Sequence, residues 1–426
     1  MSKVSATKKS QLIEIAGVLI AGIVAIHLIS SVNQADLQVF IRAGKSVLHG
    51  QTPYPKVGTP AVYSGSSFVY PYLVAVAFVP ISLLGTYWGP FVFEAISLIA
   101  LFFATYTFST FLRSGVSNTV ASQISIFAAV LLASPTLISL QMGTLTPLIL
   151  AAFALIWRYR SGAAVGALLV VALTFTKVYL VVFGLFFILG RRLRAIVFTF
   201  VFTLAALVLN FILSPLGPSS YLRLLTQLAM HESLQGFSYI NALGSIDLSK
   251  GGAYGILALG IVIVLALWSR SSSLPKRDDI AFVVAIAATL MATPILWSSY
   301  LPVLLVPLLL FVDNFALLAA LSAISSVIVT PDRAGTLMIA IQFLAICLVM
   351  LPRYFSRLRY RELNKLFSDL TFSSALILAM LFVGFAVEVI APALGVQFLI
   401  IVISIVLVLR SSTFRYESRE LVEGPL

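Results

Sequence analysis

The sequence predicts an all-α polytopic membrane protein, one bundle of roughly 12–14 transmembrane helices at ~20 residues per crossing plus loops. Three observations carry that reading. Hydrophobic residues make up 60% of the chain against 10% charged, and the mean hydropathy is +1.08, far from the mix of a soluble domain. The 426 residues are therefore expected as a single membrane-embedded domain, 1–426. Lys and Arg, 27 in all, gather in short polar breaks between apolar runs. With the N-terminus placed inside, because Lys3, Lys8 and Lys9 precede the first run, only Arg42, Lys45, Lys56, Lys177, Arg223, Lys250 and Arg333 fall outside, leaving 20 of the 27 at cytoplasmic ends. This asymmetry explains the net charge of +12 without a nucleic acid partner; the lipid bilayer is the partner it implies. A multi-pass protein of the plasma membrane with both termini cytoplasmic is the expectation. The single cysteine, Cys347, excludes an intrachain disulfide and a cysteine metal cluster.

The first apolar run, Leu12 to Ser30, has the basic start of a signal peptide, but it is too long and lacks a small-residue cleavage site, so it reads as an uncleaved anchor. The first outer loop, 32–72, is the stretch the rest is arranged to hold. Leu37, Phe40, Ile41, Val47 and Leu48 recur at helical spacing, with Arg42, Lys45 and His49 on the opposite face and Asp36 capping the start. An amphipathic interfacial helix follows, apolar side toward the membrane. The second half of the loop, with Pro53, Pro55 and Pro60, is irregular and returns to the bilayer at Phe68-Val69-Tyr70-Pro71.

Tyr72 to Leu112 is apolar but broken at Pro80, Gly85 and Gly89-Pro90, and charge parity favours one interrupted pass over two crossings. Gln141-Met142-Gly143-Thr144 then lies outside, Arg158 and Arg160 inside, Lys177 outside, and Arg191, Arg192 and Arg194 inside. Gly162 to Thr176 and Val178 to Gly190 are short for a ~30 Å core and form a broken hairpin or nearly upright spans. A span from Ala195 to Leu213 opens into the second outer loop, 214–252, and Pro294 to Tyr300 makes a third outer turn. The rest is spans and breaks, with the C-terminal spans and cytoplasmic tail in 366–426. No internal repeat or inverted half is visible, which weighs against a transporter.

No nucleotide phosphate cradle is visible, so an enzyme with outer-face loops must draw on a donor already in the membrane, and a lipid-linked sugar fits. Transfer from it needs a base for the acceptor hydroxyl and cations for the leaving phosphate. Asp36 is the candidate base; capping the surface helix is the structural alternative, compatible with the first. Lys177 lies in the apolar run VVALTFTKVYLVVF, where a central charge costs ~2.5–3.5 kcal/mol on an insertion scale. A lipid phosphate offsets that cost, as does snorkelling to ordinary headgroups. Arg42, Lys45 and His231, the last beside Glu232, are candidate phosphate contacts or simply solvated. Tyr54, Tyr63, Tyr70, Tyr72, Trp297 and Tyr300 can stack on sugars, and an interfacial aromatic belt predicts them equally well. No cluster has metal-ligand spacing and no cofactor is called for.

Asp36-Leu37, Tyr54-Pro55 and Phe68-Val69-Tyr70-Pro71 resemble, in that order, the Asp-x-x-x-Tyr, Gly-x-x-x-Tyr and Phe-x-Tyr-Pro-Pro signature of glycosyltransferase family 87. Ser134-Pro135 and Gln141-Met142-Gly143 stand where that family has Gly-Gln-x-Asn, Lys177 matches a lysine after a Gly-rich span, and Arg191-Arg192 the basic turn beyond. Ser233-Leu234-Gln235-Gly236 and Thr293-Pro294-Ile295-Leu296-Trp297 resemble its Asn-Gln-Ser-Leu-x-Gly and Ser-Pro-Ile-Ser-Trp segments. Tyr72 replaces the second Pro, and Ser299 stands where a His often follows the Trp.

The resemblance implies a GT-C-type bundle and an inverting transfer from a polyprenyl-phosphate-linked sugar to a glycolipid or glycan acceptor. Members move mannose to phosphatidylinositol mannosides or lipoglycans, or arabinofuranose to cell-wall arabinan. It implies Asp36 as catalytic base in the first outer, catalytic loop, 32–72, and contacts to sugar or acceptor from Tyr54, Tyr70, Gln141 and Trp297. Mannose transfer at the outer face is the leading expectation. An arabinofuranosyltransferase of the same family, a lipid or solute transporter and a structural scaffold are the rivals.

Overall fold

The computed structural model describes residues 34–109, 120–232, 277–293 and 295–310, together with Leu19, Gly22 and Ile23, and those residues form helices and short 3-10 turns with no strand among them. In chain order the helices are α1 (Ala35–Leu48), α2 (Tyr72–Ala77), α3 (Val79–Leu83), α4 (Gly85–Ser109), α5 (Val120–Leu132), α6 (Ser134–Met142) and α7 (Thr146–Arg158). They continue with α8 (Ala163–Thr176), α9 (Leu185–Leu189), α10 (Leu193–Leu213), α11 (Pro218–Glu232), α12 (Arg277–Met291) and α13 (Pro302–Leu305). The chain divides into two compact units: Met1–Gln51, Phe78–Ala154 and Ser298–Thr371 in one, Thr52–Ala77, Leu155–Trp297 and Phe372–Leu426 in the other.

The first unit is organised around α1. Phe40 stacks on Phe78 with ring centroids 4.7 Å apart, and Phe78 in turn meets Phe93 at 5.6 Å. Gly44 lets the two backbones approach, since a β-carbon there would stand 2.8 Å from the Phe78 carbonyl oxygen. Val39, Ala43 and Gly44 are buried along with Leu37, Phe40 and Ile41, so the covered face is wider than one stripe, while Val47 is half-buried and Leu48 exposed. This corrects the expected orientation: α3 and α6 pack against the helix, so protein occupies the side that amphipathicity alone would give to lipid. Asp36 is not the cap either. Gln34 takes that position in a left-handed conformation, φ 42°, and Asp36 is the second residue of the helix, where a carboxylate meets the positive end of the helix dipole.

Between residues 72 and 109 the backbone breaks at Phe78 and at Leu84-Gly85, then runs through Pro90 within the 25 residues of α4. The interruption therefore precedes a full-length helix rather than dividing it at Gly89-Pro90. In the second unit Trp157, Phe183, Phe186 and Phe282 interlock with centroids 5.2 to 5.7 Å apart. The basic turn after α9 is tied down: Arg192 pairs with Asp278 at 2.8 Å and donates to the Arg160 carbonyl, while the Arg160 guanidinium lies 4.2 Å over the Trp157 ring.

Among the described residues α4 and α10 are long and apolar enough to cross a membrane, and α6 with α7 makes a third if that bent pair counts as one span. The chain is thus helical with membrane-length apolar helices. Apart from Leu19, Gly22 and Ile23, the expected anchor at Leu12 to Ser30 lies outside the described residues, as do Ser233 to Gly236, most of the expected second outer loop and the expected spans from 311 onward, including 366–426.

Candidate active site

In the first unit, the turn that carries Asp36 meets the segment that carries Gln141. α6, from Pro135, and α7 bend by 117° about Gly143-Thr144-Leu145, and Gly143 closes α6 with φ 66°. A β-carbon on Gly143 would lie 2.6 Å from the Leu37 β-carbon and 3.4 Å from both the Leu37 amide nitrogen and the Gln34 β-carbon. The bend therefore sits against the residues on either side of Asp36, closer than any side chain would permit.

Polar side chains line the bend in otherwise apolar helices. Ser139 and Thr144 share a 2.7 Å hydrogen bond, the Thr146 amide donates to the Thr144 hydroxyl at 3.3 Å, and Gln141 is buried. The 3-10 turn Ser298–Tyr300, where Ser299 is buried, packs on α6 and so brings the residues after Trp297 to the same helix. Asp36 itself is half-buried. Arg42 is exposed and Lys45 half-buried. At ~100° per residue they lie about 120° and about 180° around α1 from Asp36, so the helix alone does not turn them to one face with it.

In the second unit Lys177 occupies a true break. It joins α8 to the 3-10 turn Val178–Gly184 in an extended conformation, φ −151° and ψ 116°, and is 5% exposed. Irregular backbone between apolar helices is tolerated where protein buries it. The Tyr179 hydroxyl, two residues on, hydrogen-bonds the Thr293 side chain, which donates to the Thr289 carbonyl at 3.0 Å. The lysine break is thus tied to Thr293, just past the end of α12; Trp297 is half-buried.

The end of the loop that follows α1 is held by two buried tyrosines. Tyr54 donates to the Tyr70 carbonyl at 3.0 Å and Tyr221 of α11 to the Val69 carbonyl at 3.2 Å. Burial pushes both phenols above the ordinary tyrosine range, with a hydrogen bond from Ser214 opposing this at Tyr54, so both remain donors. Phe68 and Tyr221 cover the Tyr54 ring, which gives Tyr54 a packing role; Tyr70 stays half-buried. His231 is exposed and stacks on Tyr63 with centroids 4.0 Å apart. Gln227 spans the same loop, accepting from the Gly58 amide at 2.8 Å and donating to the Tyr63 hydroxyl at 2.9 Å and the Thr59 carbonyl at 3.2 Å.

Sequence reasoning missed Gln227, Tyr179 and Glu94. Gln227 and Tyr179 act through tertiary partners that spacing does not encode. Glu94, a lone carboxylate inside an apolar run, carried a legible signal: both of its oxygens are buried in α4 without a hydrogen-bond partner among the described residues.

A family model described as glycosyltransferase family 87 matches residues 68–294, more than half of the chain. No curated protein matches it. The matched stretch includes Tyr70, Gln141, Lys177, His231 and Thr293; Asp36, Arg42, Lys45, Tyr54 and Trp297 lie beyond its ends.

Proposed function

Since the chain belongs to glycosyltransferase family 87, and is thus a glycosyltransferase with membrane helices, we propose that it moves mannose from a polyprenyl-phosphate donor to a glycolipid or cell-envelope glycan at the outer face of the plasma membrane. The observation that carries this reading is the seating of the Asp36 turn against the bend at Gly143, which gives a half-buried carboxylate a fixed backbone beside buried polar side chains.

In the proposed reaction Asp36 accepts the proton of the acceptor hydroxyl as its oxygen forms a bond to the anomeric carbon from the face opposite the leaving group. The bond from that carbon to the phosphate oxygen breaks, and its electron pair leaves with polyprenyl phosphate, so the anomeric configuration inverts. Lys177 supplies positive charge to the departing phosphate, with Arg42, Lys45 and His231 as further cations. A buried ammonium in a low-dielectric setting acts more strongly on such an anion than an exposed one. Gln141, Tyr70 and Trp297 contact sugar or acceptor. Tyr54 supports the loop rather than the ligand.

Asp36→Asn keeps the size of the side chain and removes its basicity. We expect kcat to fall by about 10²–10⁴, the usual contribution of a general base, with protein yield and thermal stability near wild type. Full transfer by this variant would remove Asp36 from the mechanism. Purified protein given polyprenyl-phosphate mannose or its arabinofuranose counterpart reads the donor from the sugar consumed. Flux of substrate through proteoliposomes with no covalent product would replace transfer by transport.

A further inference from the structure

We infer that α11 lies in the plane of the membrane at the boundary between headgroups and acyl chains, and holds residues 58–71 of the first outer loop on its opposite, water-side face. The helix has two faces. One packs on the loop through Tyr221, Leu224, Gln227 and His231. The opposite face carries Leu222, Thr226, Ala229 and Met230, spaced i, i+4, i+7 and i+8, and in it Leu222 is 65% and Met230 64% exposed.

The occupant of that face follows from what precedes it. α10 is apolar all round, long enough to cross a membrane, and only 6% of its apolar window is buried. Its exposed surface reaches Ile212, at 73% exposure, and Leu213. Four residues then link it to Pro218, so α11 begins within about 17 Å of the end of a lipid-facing helix. Exposed apolar side chains continue from one helix to the next, and exposed Arg223 on the flank of the stripe suits a phosphate-bearing headgroup layer. A lipid surface answers every one of these features. Gln227, Tyr63 and Tyr221 then fix the loop just above the helix, toward water; the further consequence, that Tyr70 is presented where a lipid-borne acceptor carries its sugar, rests on the proposed function, whereas the location of α11 does not.

The test uses the full chain in phospholipid nanodiscs, on a Cys347→Ser background that leaves no native cysteine. Nitroxides are placed by Leu222→Cys, Met230→Cys, Thr226→Cys and, on the exposed loop, Ser64→Cys, and relaxation by oxygen is compared with that by a water-soluble nickel chelate. Positions 222, 226 and 230 should show a several-fold higher ratio of oxygen to nickel accessibility than position 64. Thr226→Cys removes no apolar contact and keeps the test intact where a leucine or methionine substitution fails to fold. Nickel accessibility at the three stripe positions equal to that at position 64 overturns the inference, as does spin–spin broadening from a second copy of the chain seated on the stripe. Both outcomes are independent of whether a sugar is transferred.

Discussion

Gly143 shows how a residue without a side chain lets one backbone seat against another, here against the two residues that flank the Ala35-Asp36 turn. Its φ of 66° costs a β-carbon-bearing residue about 1–2 kcal/mol, and a β-carbon there would also stand 2.6 Å from that of Leu37. Gly143→Ala should lower the midpoint of thermal unfolding and reduce kcat at least tenfold by pushing the Asp36 turn away. Gly143→Asn tolerates the left-handed backbone and should recover part of the stability, yet it keeps the collision and hence the loss of rate. Wild-type kcat in the alanine variant would show that the bend does not place Asp36. Glu94 poses the opposite case. Its carboxylate oxygens and the Ser97 hydroxyl one turn on are buried with no hydrogen-bond partner among the described residues, a cost of roughly 1–3 kcal/mol per unmet group. Glu94→Met removes that cost while filling similar space, so it should raise the unfolding midpoint. A stabilised protein that has lost transfer would assign Glu94 to function, and a destabilised one would show that the carboxylate is satisfied in the membrane.

Among the elements, α1 carries a sequence expectation that the packing corrects, whereas α11 stands in a stretch the sequence offers only as a polar loop. The 3.6-residue periodicity of α1 is real, and Leu37, Phe40 and Ile41 are buried as it predicts. Periodicity names a face but not what covers it, and here α3 and α6 do. α11 is less regular in pattern because both of its faces are used, one by the loop and one left apolar and exposed, so no single stripe stands out. Gln227 was illegible for the same reason: its three partners lie more than 160 residues away in sequence. The end of α11 also carries a pH dependence. Burial holds the Glu232 carboxyl above its ordinary value, against the opposing charge of His231. Its contribution to stability is therefore complete below the ordinary value of 4.5 and is lost as pH rises through the raised folded value. Solvent reaches the half-buried group, so the effect is small. Between pH 4 and 7 the wild type should lose slightly more thermal stability than Glu232→Gln, and parallel curves for the two would show that the carboxyl does not feel its burial.

For the whole molecule, what could be read in advance was order: Phe68 to Pro71, Gln141, Lys177 and Thr293 in sequence, now within the family match over 68–294. What could not be read was which of these meet. Contacts such as Tyr179 with Thr293, or Gly143 with Leu37, join residues about a hundred apart and depend on bends at Lys177 and Gly143 that local propensity does not announce. Charge asymmetry supplies the remaining global statement, the side of the membrane on which each loop lies, and it rests on every short loop at once. If the cytoplasmic assignment of Arg158 and Arg160 is right, the intervening helices put residues 52–71 and α11 on the outer side. Ser64 and Ser161 are both exposed, on loops of opposite expected sidedness. On the cysteine-free background, Ser64→Cys should react with a membrane-impermeant maleimide in intact cells, and Ser161→Cys only after permeabilisation. The reverse pattern would place the loop that carries Tyr70 in the cytoplasm, where a transferase would draw on a donor displayed by the inner leaflet. Reaction of both in intact cells would mean that an odd number of crossings does not separate them, which removes the parity on which the outer-face assignment depends.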